Sequence, residues 1–106
     1  MTIQPDLLPE GFHDRLPPQA EVAARTARAM LDVMAAHGYA RVSPSIAEFE
    51  ASLSARSGGA TRERLLRFTD PVSGHTLALR GDITVQVGRI ATTRMAGASR
   101  PLRLCY

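Results

Sequence analysis

The chain contains no lysine and no tryptophan, a single cysteine, and only three phenylalanines and two tyrosines among 106 residues. Each shortage excludes something. With Cys105 alone, no intrachain disulfide can form, and its plain reading is a small core residue. With so few aromatics there is no set of rings on which nucleic acid bases could stack, and nucleic acid is an unlikely partner. No apolar run approaches the ~20 residues of a membrane span, and the N-terminus lacks the order of a secretory signal. The expectation is a cytoplasmic protein with no membrane contact. Glycine-rich phosphate loops are also missing, as is any His/Cys spacing suited to a metal. His13, His37 and His75 lie far apart and read as capping or surface side chains. No cofactor, metal site or catalytic residue is expected.

What is present is uneven. All thirteen basic residues are arginine. Residues 1–55 carry four arginines against seven acids, a net of −3, whereas residues 56–106 carry nine against three, a net of +6. These arginines are spread over several elements and read as a solvated surface. A chain of this length makes one domain with a modest core.

The pattern predicts an α+β chain. Residues to Leu16 read as an extended arm. "LPPQAEVAARTARAMLDVMAAHGY" predicts a helix, with Pro17 and Pro18 suited to its first turn and Gly38 to its end. Val22, Thr26, Ala29, Met30, Val33, Met34 and His37 form one face of it, for core or dimer packing. A short strand is predicted over Ala40 to Ser43, broken by Pro44. A helical turn is predicted near Ala47 to Leu53, and a polar loop over "SARSGGATRER". A hairpin follows, with strands Leu65 to Thr69 and Thr76 to Arg80 around a turn at Asp70 to Gly74. From Asp82 the period changes to that of a helix, with Asp82 as N-cap, Ile83, Val87, Ile90 and Ala91 on one face, and Gly97 as its end. "RPLRLCY" opens another strand. A strand stopping there leaves its sheet half built, so the expectation is an N-terminal part of something longer.

Two places could carry chemistry. Glu48 and Glu50 alternate after Pro44 and form a carboxylate pair if extended, or otherwise solvated charge. "LALRGDITVQVGRI" hands a strand to a helix, where backbone N–H groups favour anions. Asp82 and Thr84 at that junction could meet the ammonium and polar atoms of an amino acid. Local physics leaves ordinary capping as the simpler reading.

"LPEGFHDRLPPQA", "HGYARVSPSIAEFEASL", "RFTDPVSGHTLALRGDITVQVGRIATTR" and "PLRLCY" resemble, in order and spacing, the core of histidyl-tRNA synthetase and of its paralogue, the regulatory subunit of ATP phosphoribosyltransferase. The resemblance runs from about Leu8 to Tyr106. It implies a class II synthetase-like antiparallel sheet with flanking helices, of which residues 1–106 are the N-terminal part. The first helix and the strand before Pro44 match motif 1, which implies homodimer contacts through Met30, Val33 and Pro44. "PLRLCY" matches the first strand of motif 2. Asp82 and Thr84 fall on positions that contact histidine in the synthetase, with Arg80 beside them, implying a histidine-like pocket.

Details lean towards the paralogue. The synthetase usually has Glu-Gly-Thr where this chain has Asp82-Ile83-Thr84, and Arg-Asp where it has His13-Asp14. The family usually has proline at the place of Gly81. The motif 2 arginine that holds ATP would lie beyond Tyr106, and motif 3 is absent, so these residues alone cannot assemble a class II ATP site. The paralogue implies a non-catalytic role: association with the short-form ATP phosphoribosyltransferase catalytic subunit, support for the first step of histidine biosynthesis, and histidine as effector. The alternative is the N-terminal part of a histidyl-tRNA synthetase.

Overall fold

The computed structural model describes residues 7–56 and 64–106. Its elements run α1 (Gln19–Ala36), β1 (Ala40–Arg41), β2 (Ala47–Phe49), α2 (Glu50–Arg56), β3 (Arg67–Thr69), β4 (Thr76–Leu79), α3 (Ile83–Thr92) and β5 (Leu104–Cys105). Strands β2, β4 and β3 form an antiparallel sheet in that order, while β1 and β5 pair in parallel.

The helix α1 starts where the prolines end. Pro18 is its cap residue, and the Val22 amide donates to the Pro18 carbonyl at 3.1 Å. It ends at Gly38, whose φ of +83° suits glycine and stops the helical run. The His37 ring adds a 2.9 Å contact between Nδ1 and the Val33 carbonyl. No residue of α1 is buried, and Met30 and Val33 are 61% and 59% exposed. The core role allowed for this face is therefore corrected within a single chain: its residues stay exposed, with only Met30 and Met34 edging a hollow beside Cys105 and Tyr106.

Several predicted boundaries move. The first strand is shorter than Ala40 to Ser43, although the Val42 amide still bonds the Cys105 carbonyl at 2.9 Å. The expected helical turn over Ala47 to Leu53 divides. Ala47, Glu48 and Phe49 pair with Leu79, Ala78 and Leu77 as a strand, and the helix begins only at Glu50. Cross-strand pairing takes the first three residues because a ready edge of β4 lies beside them. The polar loop begins later, since Ser54, Ala55 and Arg56 complete α2; residues 57–63 of it lie outside the described residues.

The hairpin strands are Arg67–Thr69 and Thr76–Leu79, each shorter than predicted. Their turn is held by Asp70, whose carboxylate accepts from the Ser73 hydroxyl at 2.6 Å and the Val72 amide at 3.0 Å. Gly74 has φ +75°. The helix α3 stops at Thr92, five residues before Gly97. There the Thr93 hydroxyl donates to the Arg89 carbonyl at 2.6 Å, and the Thr92 hydroxyl donates to that of Gly88 at 3.0 Å. Such side-chain bonding back to the helix competes with its continuation.

The buried apolar cluster is small: Leu53, Leu65 and Ala78, on α2, before β3, and on β4. Cys105 is also buried, as expected of a small core residue. Ala78, at the middle of the central strand, is fully buried and stands opposite both Glu48 and Arg67.

Candidate functional site at the β4–α3 junction

The alternating strand β4 ends at Leu79, and α3 starts four residues later. Between them the backbone is extended at Asp82 (φ −146°, ψ 123°), which is the geometry of an N-cap. Asp82 Oδ1 accepts the Thr84 amide at 2.9 Å, so the capping reading is realised. Asp82 and Thr84 are both exposed. The Thr84 hydroxyl lies 2.9 Å from the Tyr106 hydroxyl. That contact ties α3 to the residue that follows β5, and Cys105 and Tyr106 line a hollow of about 250 Å³ with Met30, Met34 and Arg41.

Arg80 points away from the cap. Its Nη1 donates to the Pro44 carbonyl at 3.0 Å, and its amide donates to the Ile46 carbonyl at 3.0 Å. Arg80 and Gly81 also edge a hollow of about 340 Å³ with Phe12, Ile46, Leu66 and Leu79. The structure thus brings Arg80, Asp82 and Pro44 into one region. Met30 lies on α1 and reaches it only through the hollow it shares with Tyr106, and Val33 does not line that hollow.

Two side chains that the sequence reading passed over, Gln86 and Arg89, complete the junction together with Glu48. Gln86 is the largest fully buried side chain among the described residues, 1% exposed. Its Nε2 donates to the Ser45 carbonyl and to Glu48 Oε2, the latter at 2.6 Å. Glu48 Oε1 pairs with Arg89 Nε at 2.6 Å. The apolar face at Ile83, Val87 and Ile90 is the stronger local pattern, yet those residues are only half-buried. The signal was the polar spacing Asp82, Gln86, Arg89, which places all three along one side of a helix. Glu48 and Glu50 are not a pair, because the chain turns from strand to helix between them. Glu50 instead takes Arg67 Nε at 2.6 Å.

Elsewhere, Phe49 and His75 meet edge to face at 5.6 Å. No group of three metal-ligating side chains converges among the described residues, and none of their helices is long and apolar enough to cross a membrane.

Residues 11–106 match the family model described as histidyl-tRNA synthetase. Among curated proteins, the chain is 47% identical to the ATP phosphoribosyltransferase regulatory subunit of Paramagnetospirillum magneticum, over 94% of this chain and 26% of that protein. It is 46% identical to the protein of the same name from Gluconobacter oxydans, with the same coverage. The chain therefore spans about a quarter of the length of these relatives. Among solved structures, an ATP phosphoribosyltransferase regulatory subunit/histidyl-tRNA synthetase from Bacillus halodurans superposes with a TM-score of 0.84 at 24% identity, covering 100% of this chain and 28% of that one. Apo histidyl-tRNA synthetase from S. aureus superposes with a TM-score of 0.74 at 23% identity, covering 92% and 23%.

Proposed function

The chain belongs to the histidyl-tRNA synthetase family, and from that premise we propose that it serves as part of a regulatory subunit of ATP phosphoribosyltransferase. The fold is α+β and class II synthetase-like. The observation that carries the reading is the 44–47% identity, across 94% of this chain, to four relatives that bear the regulatory-subunit name. In this reading the chain does no chemistry itself. It associates in the cytoplasm with a short-form catalytic subunit that performs the first step of histidine biosynthesis, and it carries a histidine signal to that subunit.

The signal site in this proposal is the β4–α3 junction. Histidine presents an ammonium and a carboxylate. Asp82 commits one oxygen to the Thr84 amide, which leaves carboxylate lone pairs for an ammonium group. Thr84 supplies a hydroxyl that now meets Tyr106, and Arg80 stands behind the turn. Feedback of this kind requires a coupling free energy between the histidine site and the catalytic subunit. Homodimer contacts through Met30, Val33 and Pro44 belong to the same proposal, supported by the exposed apolar stripe of α1.

Calorimetry on the full-length protein tests the site. Asn caps a helix about as well as Asp, so Asp82→Asn keeps the fold while removing the carboxylate charge. Histidine affinity should fall by roughly tenfold or more, the scale of a lost charge-assisted hydrogen bond. Unchanged affinity would refute the assignment of Asp82. Co-purification with a short-form phosphoribosyltransferase tests the partner.

A further inference from the structure

Three consecutive carbonyls, those of Pro44, Ser45 and Ile46, are each held by a residue that flanks the Asp82–Thr84 turn. Arg80 takes two of them, Pro44 through its guanidinium and Ile46 through its amide; Gln86 takes the Ser45 carbonyl. The turn therefore lies between two straps, one two residues before Asp82 and one two residues after Thr84. We propose that Arg80 and Gln86 are positioning residues that bind the Pro44–Ile46 segment to the Asp82–Thr84 turn, so that a ligand held at the turn is registered at Pro44.

The chemistry of Gln86 favours this over simple core filling. Burying an amide is costly unless it is hydrogen-bonded, and a leucine would fill similar space without that cost. Both groups facing the Nε2 atom, the Ser45 carbonyl and the Glu48 carboxylate, are acceptors. They fix which end of the carboxamide points at the segment. The other end, Oε1, is buried and has no partner among the described residues. The position thus keeps a polar group that is only half satisfied. Its polarity acts through the nitrogen, which holds the Ser45 carbonyl and the Glu48 carboxylate. Glu48 is itself fixed by the Arg89 pair, so the strap is anchored within α3 as well as across to β2.

The ligand in this inference rests on the amino-acid-site reading above, whereas the straps do not. Hydrogen exchange read by mass spectrometry on the full-length protein separates the two. Without ligand, Gln86→Leu should speed exchange at residues 45–49 by about tenfold, the loss expected for one internal hydrogen bond, with residues 83–92 nearly unchanged. Arg80→Met, at a partly exposed position, should do the same and decides the matter if Gln86→Leu does not fold. No change at 45–49, or equal acceleration in both segments, overturns the straps. With saturating L-histidine, residues 45–49 should slow in the unmodified protein and not in Gln86→Leu. Binding seen by calorimetry without that slowing overturns the coupling. If calorimetry shows no histidine binding, the site reading fails, and the ligand-free comparison still decides the straps.

Discussion

At the scale of the residue, Asp70 shows how one carboxylate can set a turn. The Ser73 hydroxyl, and then the Val72 amide, hold its carboxyl below the ordinary carboxylate range, helped by the Ser73 amide and the nearby His75. These bonds favour the charged form, so the folded-state pKa lies beneath the unfolded one. The stability they contribute is present above the unfolded value, near 4, and is lost as pH falls through the folded value. Asp70→Asn cannot titrate. The difference in thermal midpoint between the unmodified protein and Asp70→Asn should therefore shrink as pH drops from about 5 to 3. A difference that stays constant through that window would show that the turn does not depend on the ionised carboxylate. Asp82 is the other decisive single residue. Its cap bond to Thr84 is worth about 0.5–2 kcal/mol, so Asp82→Ala should lower stability by that amount in urea titration, while Asp82→Asn should not. The contrast between the two variants separates the cap from the ligand role.

At the scale of the element, the central strand β4 is where small changes tell most. Ala78 has no exposed surface and a paired neighbour on each flanking strand, Glu48 on β2 and Arg67 on β3. Ala78→Leu forces extra volume into that seam and should destabilise the fold by about 1–3 kcal/mol. Leu53→Ala on α2 opens a cavity and should cost about 2–5 kcal/mol. Chemical denaturation measures both, and a neutral Ala78→Leu would mean that the seam is looser than its burial indicates. The same elements mark the limits of sequence reading. The helix α1, the Asp70 turn and the Asp82 cap were legible because each has a local cause: proline, glycine, or a short acidic side chain bonding its own backbone. Strand β2 was not, because Ala47-Glu48-Phe49 becomes a strand only through pairing with β4, a non-local cause. Gln86 was missed for the same reason. Its partners Ser45 and Glu48 lie 41 and 38 positions away, so the polar spacing of Asp82, Gln86 and Arg89 marks one side of α3 as polar without reporting that Gln86 is buried there.

At the scale of the molecule, the chain is far more open than its size requires. A compact monomer of this mass exposes about 5,800 Å², whereas this chain exposes 8532 Å². Its radius of gyration is 17.3 Å, against about 13 Å for a compact domain of this length. The surplus is roughly 2,700 Å² in a chain that spans about a quarter of its relatives' length, and of the exposed large apolar residues Val22, Met30, Val33 and Met34 lie together on α1. If that stripe is the homodimer contact, a charge placed in it must be buried or expelled, and either outcome costs several kcal/mol. Val33→Glu in the full-length protein should raise the dimer dissociation constant by about a hundredfold or more in sedimentation equilibrium. Val72 serves as the control, since it is 92% exposed at the hairpin turn and lies outside the stripe. Val72→Glu should leave the dissociation constant unchanged. Equal weakening by both variants would point to general surface charge, and no weakening by Val33→Glu would place the homodimer contact elsewhere on the molecule.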